Sequence, residues 1–446
     1  PRCHDWSYHD RMRSQADLTR LVPIFVTAPA SSADRSDSPF PVLCDVPEKE
    51  MAYPIVQVDF SDHVRAWDGF GVNYVETCQT RNYDEWPQDY GGFSLFDEDE
   101  KARVLTMIFG EDGLKPGITK IFLDIFHEGM TEEGNDNDDP DVLNLGGFDH
   151  TRTTKWLRYF NKEGLRITRE RGGDLQMVTT LYGPPPWMTL QGYINGRDLD
   201  PEKQGELAEY MVSWVKYLRE EESLPVEYLS LHNEGDAYYR WPPDGDGPGE
   251  DFEDFNMYWP PEQVVDLLRS LRGRLDKEGL KDVKLTPGET QNWYRFDEWG
   301  YSRAILNDRK ALGNLGLITS HNFVSQDDLN RFYGDYRSTG IDYLHQKKPE
   351  LHVWLNSMSW GGMDAHFVDY IRRNIYICKC NAVTPWAVIQ RPSQWKGGDP
   401  NPRTAFHVTD DGELKVLRGY YYYKQVTRAG QPGMAVAAVR SLDPAV

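Results

Sequence analysis

Residues 226–236 read Val-Glu-Tyr-Leu-Ser-Leu-His-Asn-Glu-Gly-Asp, an apolar strand that ends in the polar pair Asn233 and Glu234. An acid at the carboxyl end of a strand is how a (β/α)₈ barrel places a catalytic group at its mouth. A second stretch, residues 181–192 (LYGPPPWMTLQG), also follows an apolar strand. The two stretches together predict a barrel with its active site at the strand ends.

The composition limits the classes of function. The 446 residues carry a formal net charge of −22, which excludes a nucleic-acid partner because such binding needs a basic surface. Hydrophobic residues make up 39% of the chain, enough for a core, and aromatic residues make up 13%. The five cysteines do not suggest a disulfide framework, and Cys378 and Cys380 lack the spacing of a zinc site. We expect neither a metal nor a cofactor.

The apolar segments of the sequence indicate where the protein is located relative to the cell membrane. No apolar run reaches the roughly 18 residues of a membrane span. Residues 21–33 (LVPIFVTAPASSA) follow several arginines and end in small residues, which resembles a secretion signal with a short apolar part. We therefore expect a secreted or periplasmic protein without a membrane span. The sequence predicts no oligomeric state.

Eight apolar segments alternate with helical patterns along the chain. The predicted strands are residues 69–74, 120–126, 175–181, 226–231, 283–287, 317–321, 351–355 and 382–388. The clearest predicted helices are residues 201–222, 261–280 and 364–378. This alternation favours a closed (β/α)₈ TIM barrel over an open doubly wound sheet.

The barrel is predicted to span residues 68–395, with a small β-sandwich-like side domain. Residues 1–50 are rich in Ser, Asp and Pro and are interpreted as an irregular arm. Residues 51–67 are expected to give one strand or more of the side domain. Residues 396–446 are expected to give the others, at 404–408, 414–416, 420–426 and 434–439, in an incomplete sheet.

Several motifs resemble those of clan A glycoside hydrolases, most closely family 30, which includes the glucosylceramidases. The similar segments are residues 67–73 (WDGFGVN), 182–188 (YGPPPWM), 231–234 (LHNE), 320–323 (SHNF, in part) and 420–432 (YYYYKQVTRAGQP). The match runs from about residue 55 onward. It implies a retaining β-glycosidase that hydrolyses a glycan or glycoconjugate, with carbohydrate as its partner and polysaccharide degradation as a role.

The resemblance assigns roles to particular residues. Retaining glycosidases hold two carboxyl groups roughly 5–5.5 Å apart across the sugar. Glu234 corresponds to the acid/base, and Asn233 to a residue that binds the sugar 2-hydroxyl. The nucleophile of the family, a glutamate, is replaced here by Ser357, and a tyrosine that supports it is replaced by Phe323. A serine hydroxyl is a poor nucleophile without an adjacent base.

Three interpretations of Ser357 stay open. The chain is an inactivated variant, or it is a natural relative that uses another carboxylate, or it is a non-catalytic carbohydrate-binding barrel. The other carboxylates near predicted strand ends are Asp124, Glu128, Glu289 and Asp364. A separation of roughly 6.5–9.5 Å between one of them and Glu234 would permit an inverting mechanism.

Aromatic and polar residues near the strand ends are expected to bind the sugar. Trp187 and Trp386 are favoured because the family carries aromatic residues after strands three and eight. The full predicted set of substrate-binding residues is Asn233, Asp124, Tyr182, Trp187, His321, Trp354 and Trp386.

Overall fold

The computed structural model describes residues 25–26, 56–78, 83–245, 254–323, 336–395 and 402–441. Most of the arm predicted over residues 1–50 lies outside these ranges, as does most of the signal-like segment. Within them, no helix combines the length and the apolar character that crossing a membrane requires.

Eight parallel strands form the central sheet. They are β1 (Gly69–Asn73), β2 (Ile118–Leu123), β3 (Gln176–Leu181), β4 (Val226–Ser230), β5 (Lys284–Thr286), β6 (Ile318–His321), β7 (Val353–Ser357) and β8 (Ala382–Val383). Neighbouring strands pair from β1 to β5 and from β6 to β8, and β8 pairs with β1, so β5 and β6 are the two edges of the sheet. A parallel bridge between Leu285 and Leu315, just before β6, joins the remaining edges. The predicted (β/α)₈ barrel is therefore confirmed.

Helices connect the strands. The described residues form α1 (Glu98–Phe109), α2 (Lys155–Glu170), α3 (Gln204–Glu220), α4 (Pro261–Lys277), α5 (Trp293–Glu298), α6 (Tyr301–Asn307), α7 (Arg309–Asn314), α8 (Thr339–Lys347), α9 (Ala365–Tyr376) and α10 (Arg418–Ala429). Short 3₁₀ segments lie at Phe93–Leu95, Pro186–Met188, Pro201–Lys203, Tyr238–Arg240 and Pro392–Gln394. In α3, Leu207, Met211 and Trp214 recur at helical spacing and are fully buried, which explains why this segment packs as a helix.

The strands outside the barrel form small separate sheets. Val56–Ala66 pairs antiparallel with Ala435–Ser441, which also pairs with Phe25–Val26. Ile389–Gln390, Phe406–Val408 and Leu414–Val416 form a different three-stranded sheet. A two-stranded hairpin joins Glu128–Gly129 to Phe148–Asp149. The prediction that residues 404–408 and 414–416 share one side sheet with the first strand is wrong.

The strand predicted at residues 420–426 is also wrong, because this segment belongs to helix α10. Tyr420, Tyr423 and Val426 are buried on one face, whereas Tyr421 is exposed. The Tyr423 hydroxyl donates to the carbonyl of Gly71 in β1 at 2.6 Å. Burial with a period of three residues, against the barrel, therefore overrides the strand preference of a tyrosine run.

The interior of the barrel changes from apolar to polar along its axis. Near the amino ends of the strands, Ile118, Val178, Tyr228, Leu317, Trp354 and Ala382 pack together. Two residues further along the strands, Lys120, Thr180 and Asn356 all bond to one buried glutamate. Because side chains alternate along a strand, these residues share the interior face with the apolar layer. The polar layer forms the floor of the candidate site.

Candidate active site

Glu234 lies four residues beyond β4, where the backbones after β4 and β5 still interact. The amide of Glu234 donates to the carbonyl of Glu289 at 2.7 Å, and the amide of Glu289 donates to the carbonyl of His232 at 2.9 Å. Glu234 has φ 45°, in the left-handed region that non-glycine residues rarely adopt. Strained backbone of this kind is concentrated at functional sites, and here it presents the carboxylate at the barrel mouth.

The carboxylate of Glu234 has three polar partners. Arg240 Nη2 donates to Oε2 at 2.6 Å, and Gln291 Nε2 donates to the same oxygen at 3.0 Å. His321 Nδ1 lies 3.1 Å from Oε1. Burial acts to raise the pKa of Glu234, but the hydrogen bond from His321 and the charge of Arg240 outweigh it and lower the pKa. Glu234 keeps 12% of its side chain exposed, so it stays open to a ligand.

Glu289 is the second carboxylate of this cluster and is completely buried. Lys120 and Thr180 donate to it, the latter at 2.8 Å, and Asn356 donates through Nδ2 at 2.9 Å. Burial opposes its charge, but Lys120 and His321 lower its pKa. Because both oxygens are engaged and none of the side chain is exposed, Glu289 anchors the site and does not face a substrate.

His321 connects the two carboxylates. Its Nε2 lies 2.8 Å from Oε2 of Glu289, opposite the Nδ1 that faces Glu234. Burial acts to lower the pKa of His321, but the hydrogen bonds to both glutamates raise it overall. The imidazole therefore favours its protonated form, and it holds a proton within hydrogen-bond distance of Glu234.

Asn233 lies beside Glu234 and is held in place by Asn256. The side-chain amides of the two residues contact each other at 2.9 Å. With the Asn256 amide turned so that its oxygen accepts from Arg240, its nitrogen also donates to the carbonyl of Asn233 at 3.0 Å. These contacts fix the position of Asn233 next to the candidate acid.

The end of β7 offers no carboxylate. Ser357 pairs in register with His321, next to the cluster. Its side chain is fully buried, and its Oγ has no hydrogen-bond partner in the described part of the chain. The preceding residue, Asn356, supplies the contact to Glu289. The ring centre of Phe323 lies 5.5 Å from that of His321, without a hydroxyl to contribute.

Three other carboxylates predicted near strand ends have partners of their own. Asp124 accepts hydrogen bonds from the Phe126 amide at 2.8 Å and the Thr153 hydroxyl at 3.0 Å, and burial raises its pKa to about 7. Glu128 is half exposed and pairs with Arg152. Asp364 caps the amino end of α9. Glu289 is the carboxylate that His321 joins to Glu234.

The predicted aromatic residues occupy different places. Tyr182 belongs to an aromatic cluster above the polar layer that also includes Phe122, and Trp386 packs against this cluster. The Tyr182 hydroxyl donates to Asp254 Oδ1 at 3.4 Å. Trp187 lies in the 3₁₀ turn after β3, and its Nε1 is buried without a hydrogen-bond partner among the described residues. These positions surround the mouth of the barrel.

The prediction that Trp354 binds the substrate is wrong, because Trp354 does not lie at the site. Its Nε1 donates to Asp68 Oδ2 at 2.6 Å, beside the start of β1, and only 1% of the residue is exposed. It fills the apolar layer at the amino ends of the strands. A sugar at the barrel mouth cannot reach it.

Three residues of the site were not predicted. Lys120 could have been found, because a lysine inside an apolar strand at an inward position needs a buried anion. Arg240 follows Glu234 by six residues and ends the 3₁₀ segment Tyr238–Arg240, and Gln291 follows Glu289 by two residues. Their contacts to Glu234 depend on how these segments fold back, and no periodicity reveals that.

No residues around Glu234 form a metal-ligand cluster in the described chain. The group of acidic, histidine or cysteine side chains with the closest suitable atoms is Asp136, Glu206 and Glu209, whose ligand atoms lie within 4.8 Å of one another. Glu209 Oε1 already lies 2.9 Å from Arg274 Nη1. These three residues are not part of the hydrogen-bond network of Glu234.

Comparisons with known proteins give structural likeness without sequence likeness. No family model matches the chain, and no curated protein matches it. SrfJ from Salmonella typhimurium is similar, with 17% identity, a TM-score of 0.63, and coverage of 89% of this chain and 82% of that one. An endo-β-1,6-glucanase has 16% identity, a TM-score of 0.64, and coverage of 88% and 82%.

A third similar structure carries the family name in its description. The catalytic domain of the family 30 xylanase C from Talaromyces cellulolyticus has 13% identity, a TM-score of 0.58, and coverage of 86% of this chain and 81% of that one. At such low identity the likeness establishes the fold alone. The chain therefore has a (β/α)₈ barrel with flanking strands like that of family 30 glycoside hydrolases.

Proposed function

We propose that this protein is a glycoside hydrolase that cleaves β-linked glycans, with Glu234 as its acid/base. The observation that carries the proposal is the position of Glu234, partly exposed at the barrel mouth with its Oε1 3.1 Å from Nδ1 of His321. The amide side chain of Asn233 comes from the adjacent residue of the chain. Two similar structures are described as a glucanase and a xylanase, which supports a glycan as the substrate class.

The proton needed for bond cleavage is stored on His321. In the free enzyme the low pKa of Glu234 favours its carboxylate form. Transfer of the Nδ1 proton of His321 to Oε1, across 3.1 Å, makes Glu234 a neutral acid. Glu234 then donates that proton to the glycosidic oxygen as the bond to the anomeric carbon breaks, and a water molecule adds to that carbon and gives up a proton, which restores the protonated His321. Glu289 and Lys120 keep the polar floor in place beneath this transfer.

The finer proposal is a retaining mechanism whose second carboxylate is missing at position 357. Retaining hydrolysis needs a carboxylate roughly 5–5.5 Å from the acid, and β7 ends in Ser357 instead. Ser357 is in register with His321, so a carboxylate there would stand next to the cluster. The enzyme as it stands is expected to turn over slowly. Polysaccharide degradation in a secreted or periplasmic location remains part of the proposal.

The alternative is a carbohydrate-binding barrel without turnover. Ser357 favours it, because the end of β7 carries a serine where a retaining hydrolase needs its second carboxylate. In that case Glu234 and Asn233 would bind sugar hydroxyls only.

The experiment is an assay of aryl β-glucosides, aryl β-xylosides, β-1,6-glucan and xylan, with the wild type, Glu234→Gln and Ser357→Glu. Turnover by the wild type that Glu234→Gln abolishes supports the hydrolase. A gain in Ser357→Glu supports the retaining mechanism. Binding of these glycans without turnover by any folded variant would replace the hydrolase with the binding protein.

A further inference from the structure

Two exposed tyrosines follow Glu234 closely in sequence and in space. After Glu234 the chain turns into the 3₁₀ segment Tyr238–Arg240. Arg240 is buried and bonds to Glu234, whereas Tyr238 is 51% exposed and Tyr239 is 40% exposed. The same short turn therefore contacts the candidate acid through Arg240 and presents the rings of Tyr238 and Tyr239 to solvent.

These rings belong to a packed aromatic surface. The ring centre of Tyr238 lies 5.5 Å from that of Trp299, 6.0 Å from that of Tyr239 and 6.1 Å from that of Tyr258. The guanidinium of Arg295 lies over the rings of Tyr239 and Trp299, at 5.4 and 4.5 Å. Arg295 is fully buried and also pairs with Asp236 at 3.0 Å. A buried cation therefore contacts two rings of this surface from the protein side.

A chain of two hydrogen bonds joins this surface to Glu234. The Tyr239 hydroxyl donates to Gln291 Oε1 at 2.9 Å, and Gln291 Nε2 donates to Glu234 Oε2 at 3.0 Å. A general acid faces the leaving group of the bond that it protonates, so residues continuous with it are placed to contact that leaving group.

We propose that Tyr238, Tyr239 and Trp299 form a platform that binds the leaving-group sugar of a β-linked oligosaccharide. The inference rests on the proposed function and adds a subsite to it. The apolar C–H face of a pyranose ring matches the open faces of the tyrosines, and the sugar hydroxyls remain in water at its rim. Tyrosine suits this role because it offers a large rigid surface with a polar tip at low entropic cost.

The test compares two substrates that differ in the leaving group. A β-1,6-linked glucotetraose places a sugar on the platform, whereas β-glucosyl fluoride has no leaving sugar. Tyr238→Ala is expected to lower kcat/KM for the oligosaccharide about tenfold, as for the loss of one aromatic contact, and to leave kcat/KM for the fluoride unchanged. Tyr421→Ala removes a similarly exposed tyrosine from α10 and serves as the matched control. Xylotetraose with β-xylosyl fluoride repeats the comparison for the other sugar.

The outcomes separate the platform from the proposed function. Equal losses on both substrates, or no loss on either, would overturn the platform while leaving the hydrolase in place. If the wild type cleaves neither substrate, the hydrolase fails, and calorimetric binding of the same tetrasaccharides decides the platform. Binding weakened about tenfold by Tyr238→Ala and not by Tyr421→Ala supports it. Unchanged binding, or none in the wild type, overturns it.

Discussion

His321 Nδ1 lies 3.1 Å from Oε1 of Glu234. The opposite nitrogen of the same ring lies 2.8 Å from Oε2 of Glu289, so one imidazole spans an exposed and a buried carboxylate. The hydrogen bonds to Glu234 and Glu289 together raise the pKa of the ring, and Glu234, the partly exposed partner, is where a substrate can receive the proton. This arrangement replaces the raised carboxyl pKa that many acid catalysts use.

The pH profile should follow His321. Its pKa is raised above the ordinary value of 6.5, so the protonated form, and with it kcat/KM, should persist to higher pH than for a free imidazole and then fall. His321→Asn keeps a hydrogen-bonding side chain but stores no proton, and it should lose about 10²–10⁴-fold in activity together with the alkaline limb. Measuring kcat/KM from pH 5 to pH 9 checks this. An unchanged alkaline limb in His321→Asn would rule out the histidine as the proton store.

Lys120 and Glu289 form a buried ion pair, so the effects of substituting them on the free energy of unfolding should be strongly coupled. Removing one charge leaves the other buried without its partner, so Glu289→Gln and Lys120→Met should each cost about 3–5 kcal/mol in the free energy of unfolding. The double variant should lose less than the sum of the single losses. Urea unfolding of the four proteins measures the coupling, and additive losses would contradict the pairing.

Asp124 should make the protein less stable as the pH rises. Burial raises its pKa to about 7, above that of the unfolded chain, so the folded state binds an extra proton between roughly pH 4 and pH 7. Unfolding releases this proton, and the stabilisation is therefore lost as pH rises through about 7. Asp124→Asn mimics the neutral acid. The free energy of unfolding of the wild type relative to this variant should fall between pH 5 and pH 8, and a constant difference would contradict the burial effect.

A glutamate at position 357 should increase turnover. Covalent catalysis divides one difficult step into two easier ones, and Ser357 is in register with His321 beside the acid. Ser357→Glu should hydrolyse aryl β-glycosides faster than the wild type, with retention of the anomeric configuration in the first product seen by NMR. Ser357→Gln has nearly the same size without the charge and should show no gain. A folded Ser357→Glu that is no faster would remove position 357 from the mechanism.

The local sequence pattern was sufficient to predict the barrel, but it was not sufficient to predict all residues of the site. The apolar segments near residues 118–123, 176–181 and 226–230 are predictable because buried parallel strands are apolar throughout. The tyrosines of 420–426 favour a strand by local preference, but they form a helix because the Tyr423 hydroxyl and its neighbours pack against Gly71 only in the assembled barrel. Trp354 follows a family motif, yet its place in the strand puts it at the far end of the barrel axis. Arg240 and Gln291 reach Glu234 through loop folding, which no local pattern specifies.

The central claim is that Glu234 gives its proton to the leaving oxygen, and the dependence of rate on leaving group tests it directly. The leaving group of a 2,4-dinitrophenyl β-glycoside departs without protonation, whereas the leaving group of the methyl β-glycoside of the same sugar needs a proton. Our account predicts that Glu234→Gln lowers kcat/KM by about 10²–10⁴-fold for the methyl glycoside and far less for the dinitrophenyl glycoside. Equal losses for both substrates would contradict it and would show that Glu234 acts in binding and not as an acid.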